Sequence, residues 1–192
     1  MRIIAGTKRG MVLLGPKTYD SRPIIDRVKE SLFSVLYGYD LPAGAVVADV
    51  FSGVGSMGLE SLSRGAKFVT FVEQDPKIIV TLNKNVEKAG FVKESKVVRA
   101  NAFHVGAVVD RSFGLYDLVF VDPPYAKTKD VGPDSMLAGL MDVLGSQVRP
   151  EGIVAVRVEE HTLLPDSYGQ FTVIDRRHWS SMIVVIYQNK PE

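Results

Sequence analysis

The chain has 192 residues, of which 46% are hydrophobic and 23% charged, with a net charge of +1 and no cysteine. This length and apolar content suit one globular domain and exclude a chain that is mainly disordered. The absence of cysteine excludes disulfide frameworks, iron–sulfur clusters, thiolate zinc sites and cysteine nucleophiles. No apolar run reaches the roughly 18 residues of a membrane helix and no signal peptide is recognisable, so we expect a soluble cytoplasmic protein.

The first part of the chain carries most of the excess positive charge. Residues 1–30 contain seven basic and three acidic side chains, whereas the remaining residues are slightly acidic in total. Two short apolar runs around Gly6 to Gly10 predict a small β-hairpin, and apolar side chains at helical spacing predict a helix over residues 26–36. Residues 1–40 are thus expected to form a basic extension, either a contact surface for a polyanion or simply a solvated segment.

Strand-like and helix-like segments alternate from residue 45 onward. The predicted strands are 45–51, 68–73, 96–99, 116–121 and 153–158, and the predicted helices are a short one that ends at Arg64, then 75–89, 103–109 and 135–144. This alternation predicts a parallel sheet with helices on both faces. The last two strands, 171–175 and 182–187, are separated only by residues 176–181, which is too short for a parallel crossover and indicates an antiparallel hairpin.

We therefore expect a single α/β domain over residues 1–192. Its α/β core would span residues 41–192 and contain a mostly parallel seven-stranded sheet that ends in the antiparallel hairpin. The three histidines lack the spacing of metal ligands, so no metal site is expected. Trp179 lies next to basic residues near the tip of the hairpin and could serve either contact with a polyanion or packing.

A glycine-rich motif follows the first predicted strand of the core. Gly53, Gly55 and Gly58 form G-x-G-x-x-G at the start of a helix, and Glu73 ends the next strand twenty residues after Gly53. In this context the glycines allow a ligand to approach the backbone, and the acid can accept hydrogen bonds from ribose hydroxyls. A tight turn without a ligand is the structural alternative, but the context favours a cofactor that contains adenosine.

The surroundings of this motif favour one class of cofactor. A nicotinamide fingerprint usually begins its domain, whereas about 45 residues precede this one, and Asp49 adds a carboxylate before the glycines. Together these residues resemble the first motif of class I S-adenosylmethionine-dependent methyltransferases. The resemblance implies a Rossmann-like methyltransferase fold and S-adenosyl-L-methionine as cofactor. The residues that it assigns to cofactor binding are Asp49, Phe51, Gly53, Gly55, Gly58, Glu73, Gln74, Asn101 and Ala102.

The tetrapeptide Asp122-Pro123-Pro124-Tyr125 directly follows an apolar strand. An exocyclic base amine is a poor nucleophile because its lone pair is delocalised into the ring. If the Asp122 carboxylate and the Pro123 carbonyl accepted hydrogen bonds from its two N–H groups, the lone pair would be localised toward an incoming methyl group. The prolines restrain that carbonyl, and Tyr125 offers a ring for stacking on an extruded base. We predict that these four residues form the catalytic motif, rather than a proline-rich turn alone.

This tetrapeptide resembles the motif of methyltransferases that modify amino groups, and its Asp form favours a nucleobase over a glutamine side chain. Further segments, at residues 1–6, 22–23, 26–33 and 58–66, resemble bacterial 16S ribosomal RNA guanine-N2 methyltransferases of the RsmD type. The resemblance covers residues 1 to about 160 and implies methylation of guanine N2 in 16S ribosomal RNA, naked or within an assembly particle, by a monomer. The residues predicted to bind RNA are Arg2, Lys8, Arg9, Arg22 and Arg27.

Two rival functions stay open at this stage. An adenine-N6 methyltransferase acting on RNA or DNA could use residues 122–125 equally well, although DNA enzymes of that kind usually carry a sizeable target-recognition domain that has no counterpart here. A methyltransferase-fold protein that binds RNA without catalysis is the rival from another class. The intact Asp122 and the intact glycines argue against that second rival.

Overall fold

A computed structural model describes residues 1–15, 24–179 and 181–190 as an α/β fold around one sheet. The strands are β1 (Val46–Val50), β2 (Phe68–Glu73), β3 (Ser95–Arg99), β4 (Tyr116–Val121), β5 (Val148–Glu159), β6 (Ser167–Tyr168), β7 (Phe171–Trp179) and β8 (Met182–Asn189). The helices are α1 (Asp26–Tyr37), α2 (Ser56–Ser63), α3 (Pro76–Ala89), α4 (Ala102–Val105) and α5 (Met136–Gly145). The strand order is β3-β2-β1-β4-β5-β8-β7-β6.

The first five strands are parallel, so their carboxyl ends meet at one edge of the sheet. The order reverses direction at β1, where the chain continues to β2 on one side while β4 pairs on the other. In open α/β sheets the crevice at such a reversal, beyond the carboxyl ends of the strands, is where ligands bind. The loops after β1, β2, β3 and β4 all reach this edge.

Two apolar cores cover the two faces of the sheet. Alternate residues of β1 point to opposite faces, so that Val47 joins the core under α1, α2 and α3 while Ala48 joins the core under α4 and α5. Local signals define the helix ends as expected: Asp75 caps α3 through the amide of Lys77, and Gly90 ends that helix in the left-handed region. The two cores confirm the prediction that helices cover both faces of the sheet.

Several details of the sequence prediction were wrong, among them the start of β5, which lies at Val148 rather than at residue 153. The sheet has eight strands in the described residues, since the two-residue β6 pairs with β7 and is too short to leave a sequence pattern. Residues 176–179 continue β7 rather than forming a loop, because they pair with β8 up to the partners Trp179 and Met182. The helix predicted over residues 103–109 ends at Val105, where Gly106 takes a positive φ of 63°. None of the described helices is both long and apolar enough to cross a membrane.

The N-terminal segment is fastened to the body rather than standing apart from it. Its two runs are joined by an antiparallel bridge between Arg2 and Val12 and by backbone hydrogen bonds that link Met1 and Ile3 with residues 10–13, so the predicted small hairpin is confirmed. The buried carboxylate of Glu60 on α2 accepts the backbone N–H groups of Ile4 and Ala5 at 2.7 and 3.0 Å. The same carboxylate forms ion pairs with two cations from α1 and the end of α2. These cations are Lys29 at 3.3 Å and Arg64 at 2.7 Å.

Candidate active site at the carboxyl edge of the sheet

The structure gives a different reason for glycine at each of the three positions after β1. Gly53 has a φ of 54°, and a side chain added there would meet nothing within 4 Å, so its backbone faces open space. Gly55 has a φ of 87° and packs against Leu82, 2.6 Å from where a Cβ would lie. Gly58 lies so close to the ring of Phe71 that no side chain fits between α2 and β2. The first glycine thus leaves room for a ligand, and the other two shape the turn.

Glu73, at the end of β2, organises the loops around this turn. Its carboxylate accepts the N–H of Gly53 at 3.0 Å through Oε2, and those of Gln74 and Asp75 at 2.8 and 2.9 Å through Oε1. A carboxylate offers about four acceptor positions, so three amides leave capacity for a ligand hydroxyl. The sequence suggested only the ligand contact, whereas the structure shows that Glu73 also holds the glycine loop.

Asp49 is the next-to-last residue of β1, just before the same loop, and is almost completely buried, at 2% exposure. Its Oδ2 accepts the N–H of Gly58 at 2.8 Å, which ties the first turn of α2 to β1. Burial raises the pKa of Asp49 to about 8, and the negative charges of Asp122 and Glu73 add to this, while the Gly58 amide acts in the opposite direction. The carboxyl group is therefore poised to change protonation state near neutral pH.

The loops after β1 and β3 contribute an aromatic pair beside these acids. Phe51 has a positive φ of 61°, which is uncommon for a residue with a side chain, and its ring centroid lies 4.7 Å from that of Phe103. Asn101 caps α4 by accepting the N–H of Phe103 at 3.1 Å, and Ala102 is buried behind it. Phe103 was not predicted as a site residue, because an aromatic residue in a short predicted helix usually indicates packing in the core.

The loop after β4 places the predicted catalytic motif on the same edge. The N–H of Asp122 donates to the Val50 carbonyl at 3.3 Å, so the end of β4 is held against the end of β1. Pro123 is buried, and Tyr125 begins a short 3-10 turn. The buried Thr128 closes that turn by donating its N–H and its hydroxyl to the Tyr125 carbonyl at 3.1 and 3.2 Å.

Asp122 has a partner that the sequence analysis missed. The Nε of Arg157 on β5 donates to its Oδ1 at 2.6 Å. Burial raises the pKa of Asp122, and the guanidinium of Arg157 opposes that rise. A single arginine inside the otherwise apolar run of residues 153–158 is the signal that could have identified it.

The predicted RNA-binding cations are less free than their sequence suggests. Arg2 forms an ion pair with Asp26 at 2.8 Å, and the ammonium of Lys8 lies 5.7 Å from the centre of the Phe91 ring. Arg9 and Arg27 are exposed. Arg22 lies outside the described residues. Trp179 packs partly buried against the core under α1 to α3, which favours the packing role for this residue.

Comparison with known proteins places the chain in a family. A family model described as "Conserved hypothetical protein 95" matches residues 1–188. The chain belongs to this family. A relative from Bacillus subtilis, named "Putative rRNA methyltransferase YlbH", is 29% identical over 99% of this chain and 100% of its own length. The "Ribosomal RNA small subunit methyltransferase D" of Escherichia coli K12 is 37% identical over 66% of this chain and 61% of its own length.

Solved structures of methyltransferases share the fold of this family member. A structure titled "Putative methyltransferase yhhF from Escherichia coli" superposes with a TM-score of 0.82 at 28% identity, covering 100% of this chain and 99% of the other. An RNA methyltransferase from Salinibacter ruber, solved with S-adenosyl-L-homocysteine, has a TM-score of 0.64 at 17% identity and covers 89% of this chain and 95% of its own. The predicted Rossmann-like methyltransferase fold is confirmed.

Proposed function

We propose that this protein transfers a methyl group from S-adenosyl-L-methionine to the N2 amine of a guanine in small-subunit ribosomal RNA. The observation that carries the proposal is the position of Asp122. Its carboxylate stands at the carboxyl end of β4, beside the glycine loop at the end of β1, in a member of a family that includes a small-subunit ribosomal RNA methyltransferase. The cofactor loop and the amine acceptor thus share one crevice.

The residues at the glycine loop fit the proposed cofactor. Gly53 leaves open space where a side chain would lie, Glu73 retains acceptor capacity for a ribose, and Asn101 follows β3 where it could reach an adenine amine. The complex of the Salinibacter ruber protein, whose fold is similar, supports the same choice. When bound, S-adenosyl-L-methionine supplies an electrophilic methyl group.

The groups after β4 would act on the nucleophile. Asp122 and the Pro123 carbonyl would accept hydrogen bonds from the two N–H groups of the amine. These bonds would localise the lone pair of the amine toward the methyl group. The buried Pro123 and the 3-10 turn behind it keep the acceptors in place before the reaction. No covalent intermediate with the protein is needed: the N–C bond would form as the S–C bond of the cofactor breaks, S-adenosyl-L-homocysteine would leave, and the surplus amine proton would pass to the Asp122 carboxylate or to water.

The family relatives and the basic extension support RNA as the substrate. The relatives from Bacillus subtilis and Escherichia coli bear names that refer to ribosomal RNA, and the cations of residues 1–30 match a phosphate backbone. We expect the protein to act as a monomer in the cytoplasm, where small subunits are assembled. Whether the RNA is naked or part of a particle is a question for the experiment.

The proposal is tested by incubating purified small-subunit RNA and assembly particles with the protein and methyl-labelled S-adenosyl-L-methionine, followed by nucleoside mass spectrometry. We expect labelled N2-methylguanosine, and a large loss of single-turnover rate in Asp122→Asn with cofactor affinity unchanged. The matched control is Asp134→Asn, at an exposed position before α5. Labelled N6-methyladenosine would support the rival specificity, and RNA binding without label would contradict a methyltransferase function.

A further inference from the structure

The register of the sheet brings Asp122 and Arg157 together. Val121 of β4 pairs with Val156 of β5, so the next residue of each strand lies beside the other at the carboxyl edge. Side chains at the same register position of parallel neighbours point to the same face. The residues two positions earlier, Phe120 and Ala155, both belong to the core under α1 to α3, which identifies that face.

The contact between the two side chains is short and largely shielded from water. Nε of Arg157 lies 2.6 Å from Oδ1 of Asp122, and the side chains are only 12% and 29% exposed. Hydrogen bonds between ionised groups are among the strongest in proteins, and low exposure limits their screening. On the neighbouring strand β1, the carboxyl group of Asp49 interacts electrostatically with both members of this pair.

We infer that Arg157 is a positioning residue for the proposed methyl transfer, holding the Asp122 carboxylate in the orientation and ionised state that accept the substrate amine. The inference rests on the proposed function. Because the guanidinium binds Oδ1 of Asp122, Oδ2 is the oxygen that would accept the N–H of the substrate amine. The β4–β5 pairing supplies this arrangement before RNA binds, so the carboxylate does not have to be ordered during the reaction.

The charge of Arg157 matters because the surroundings of Asp122 otherwise favour its neutral, protonated form. Burial raises the pKa of Asp122, and the guanidinium of Arg157 acts to lower it. Without the guanidinium, a larger fraction of Asp122 would be protonated near neutral pH. A protonated carboxyl is a weaker acceptor for an amine N–H, so the rate would fall first at low pH.

The chain contains a matched control for this test. Arg149 and Asp117 lie on the same two strands at the opposite edge of the sheet and form an ion pair at 2.7 Å. Arg149→Met removes an arginine from β5 and breaks an Asp–Arg pair, but leaves the carboxyl edge untouched. Arg157→Met removes the charge at the site, and Arg157→Lys keeps a cation without the guanidinium geometry.

We expect Arg157→Met to lower the single-turnover methylation rate roughly tenfold or more, as for loss of a group that positions a reacting partner. The acid limb of its pH–rate profile should move to higher pH, while the affinity for S-adenosyl-L-methionine stays unchanged. Arg157→Lys should move the acid limb less than Arg157→Met, and Arg149→Met should leave rate and profile as in the wild type. A carbon-13 NMR titration of Asp122 should show the same rise of its pKa in Arg157→Met.

The outcomes separate this inference from the proposed function. If the wild type methylates RNA but Arg157→Met matches Arg149→Met in rate and acid limb, Arg157 is only structural and the inference is overturned. If Arg157→Met does not fold, Arg157→Gln, which keeps a polar side chain without the charge, decides, and a wild-type profile in that variant together with an unchanged Asp122 pKa overturns the inference. If the wild type transfers no methyl group, the proposed function fails and the inference with it, whatever the titration shows.

Discussion

At the scale of single residues, the acids of the site serve both the fold and the proposed chemistry. Asp49 and Glu73 each accept backbone amides of the glycine loop or of α2, and so they shape the loop before any ligand binds. An ionised carboxylate that is nearly fully buried is costly, because it loses its hydration. Ionisation of Asp49 therefore lowers the stability of the fold.

Replacing Asp49 with asparagine should therefore stabilise the protein at neutral and alkaline pH. In the folded state the pKa of Asp49 is about 8, against 3.8 for the free side chain, so folding favours the protonated form. The contribution of Asp49 to the free energy of unfolding is complete at low pH and is lost as the pH rises from about 4 to about 8. Asparagine cannot ionise, and its side-chain oxygen can still accept the Gly58 N–H.

The measurement is urea unfolding of wild type and Asp49→Asn at several pH values between about 5 and about 9. The stability gain of the variant should grow with pH and level off near the folded pKa. Asp110→Asn is the control: the Ser112 amide and Lys96 lower the pKa of Asp110, so that variant should lose an amount of stability that does not change over this pH range. A stability difference that is constant with pH would show that Asp49 does not titrate in this range.

Glu73→Ala should weaken the binding of S-adenosyl-L-methionine. The variant loses an acceptor for the ribose and also the support of the Gly53 amide, so we expect a loss on the order of 1.5 to 3 kcal/mol, as for hydrogen bonds to a charged group. Calorimetric titration measures this directly. Glu87→Ala, at an exposed position of α3, is the control and should bind as the wild type does. Equal affinities for all three proteins would refute the assignment of Glu73.

At the scale of elements, α2 joins the N-terminal segment to the site. Its first turn donates the Gly58 N–H to Asp49, and its second turn presents Glu60 to the segment and to Lys29 of α1. The pKa of Lys29 is lowered, chiefly by burial, although Glu60 acts to raise it. A buried ion pair of this kind fixes one arrangement of three elements, even if its net contribution to stability is small.

Because the N-terminal segment is held in place, its exposed cations should present a fixed surface to RNA. Neutralising Arg2, Lys8 and Arg9 together should weaken RNA binding and flatten its salt dependence by up to about 0.7 per lost contact to single-stranded RNA. Arg9 should account for most of the effect, since Arg2 already pairs with Asp26 and Lys8 lies against Phe91.

RNA affinity over a salt series, with unchanged binding of S-adenosyl-L-methionine, checks this prediction. Lys96→Gln, on β3 and paired with Asp110, is the control and should retain the wild-type slope. If the triple variant also retained that slope, the segment would be a structural element only. RNA would then have to be bound elsewhere on the protein.

At the scale of the whole molecule, one core connects the N-terminal segment with the sheet. Ile3 and Leu13 of the segment and Leu32 of α1 belong to the same buried cluster as Val47 of β1 and Phe120 of β4. Residues 1–40 therefore have no separate core of their own in the described part of the chain. A segment that shares its core with the sheet is expected to unfold with it.

Thermal unfolding should accordingly show one cooperative transition. Fluorescence of Trp179, on β7, and far-ultraviolet circular dichroism should give the same midpoint, and the calorimetric and van't Hoff enthalpies should agree. Deleting residues 1–15 should lower that midpoint, because it removes two buried apolar side chains and the amides that Glu60 binds. A separate early transition that this deletion abolished would instead indicate an independent N-terminal unit.

Much of this protein follows from the sequence by itself. The five parallel strands, the helices on both faces, the caps of α3 and the order of motifs along the carboxyl edge depend on local patterns of apolar spacing, glycine and proline. The family resemblance was readable from the same residues. These features are local because backbone preferences and the alternation of buried and exposed side chains act over a few neighbouring residues.

Only the tertiary structure decided which distant residues meet. Asp122 and Arg157 are 35 positions apart, and their contact depends on the pairing of β4 with β5 in one particular register. The burial that raises the pKa of Asp49, and the attachment of Ile4 to Glu60 across 56 positions, likewise depend on how elements pack. Such contacts leave no local pattern, because strand order and register are set by the packing of the whole chain, and the electrostatics of the site follow from that packing.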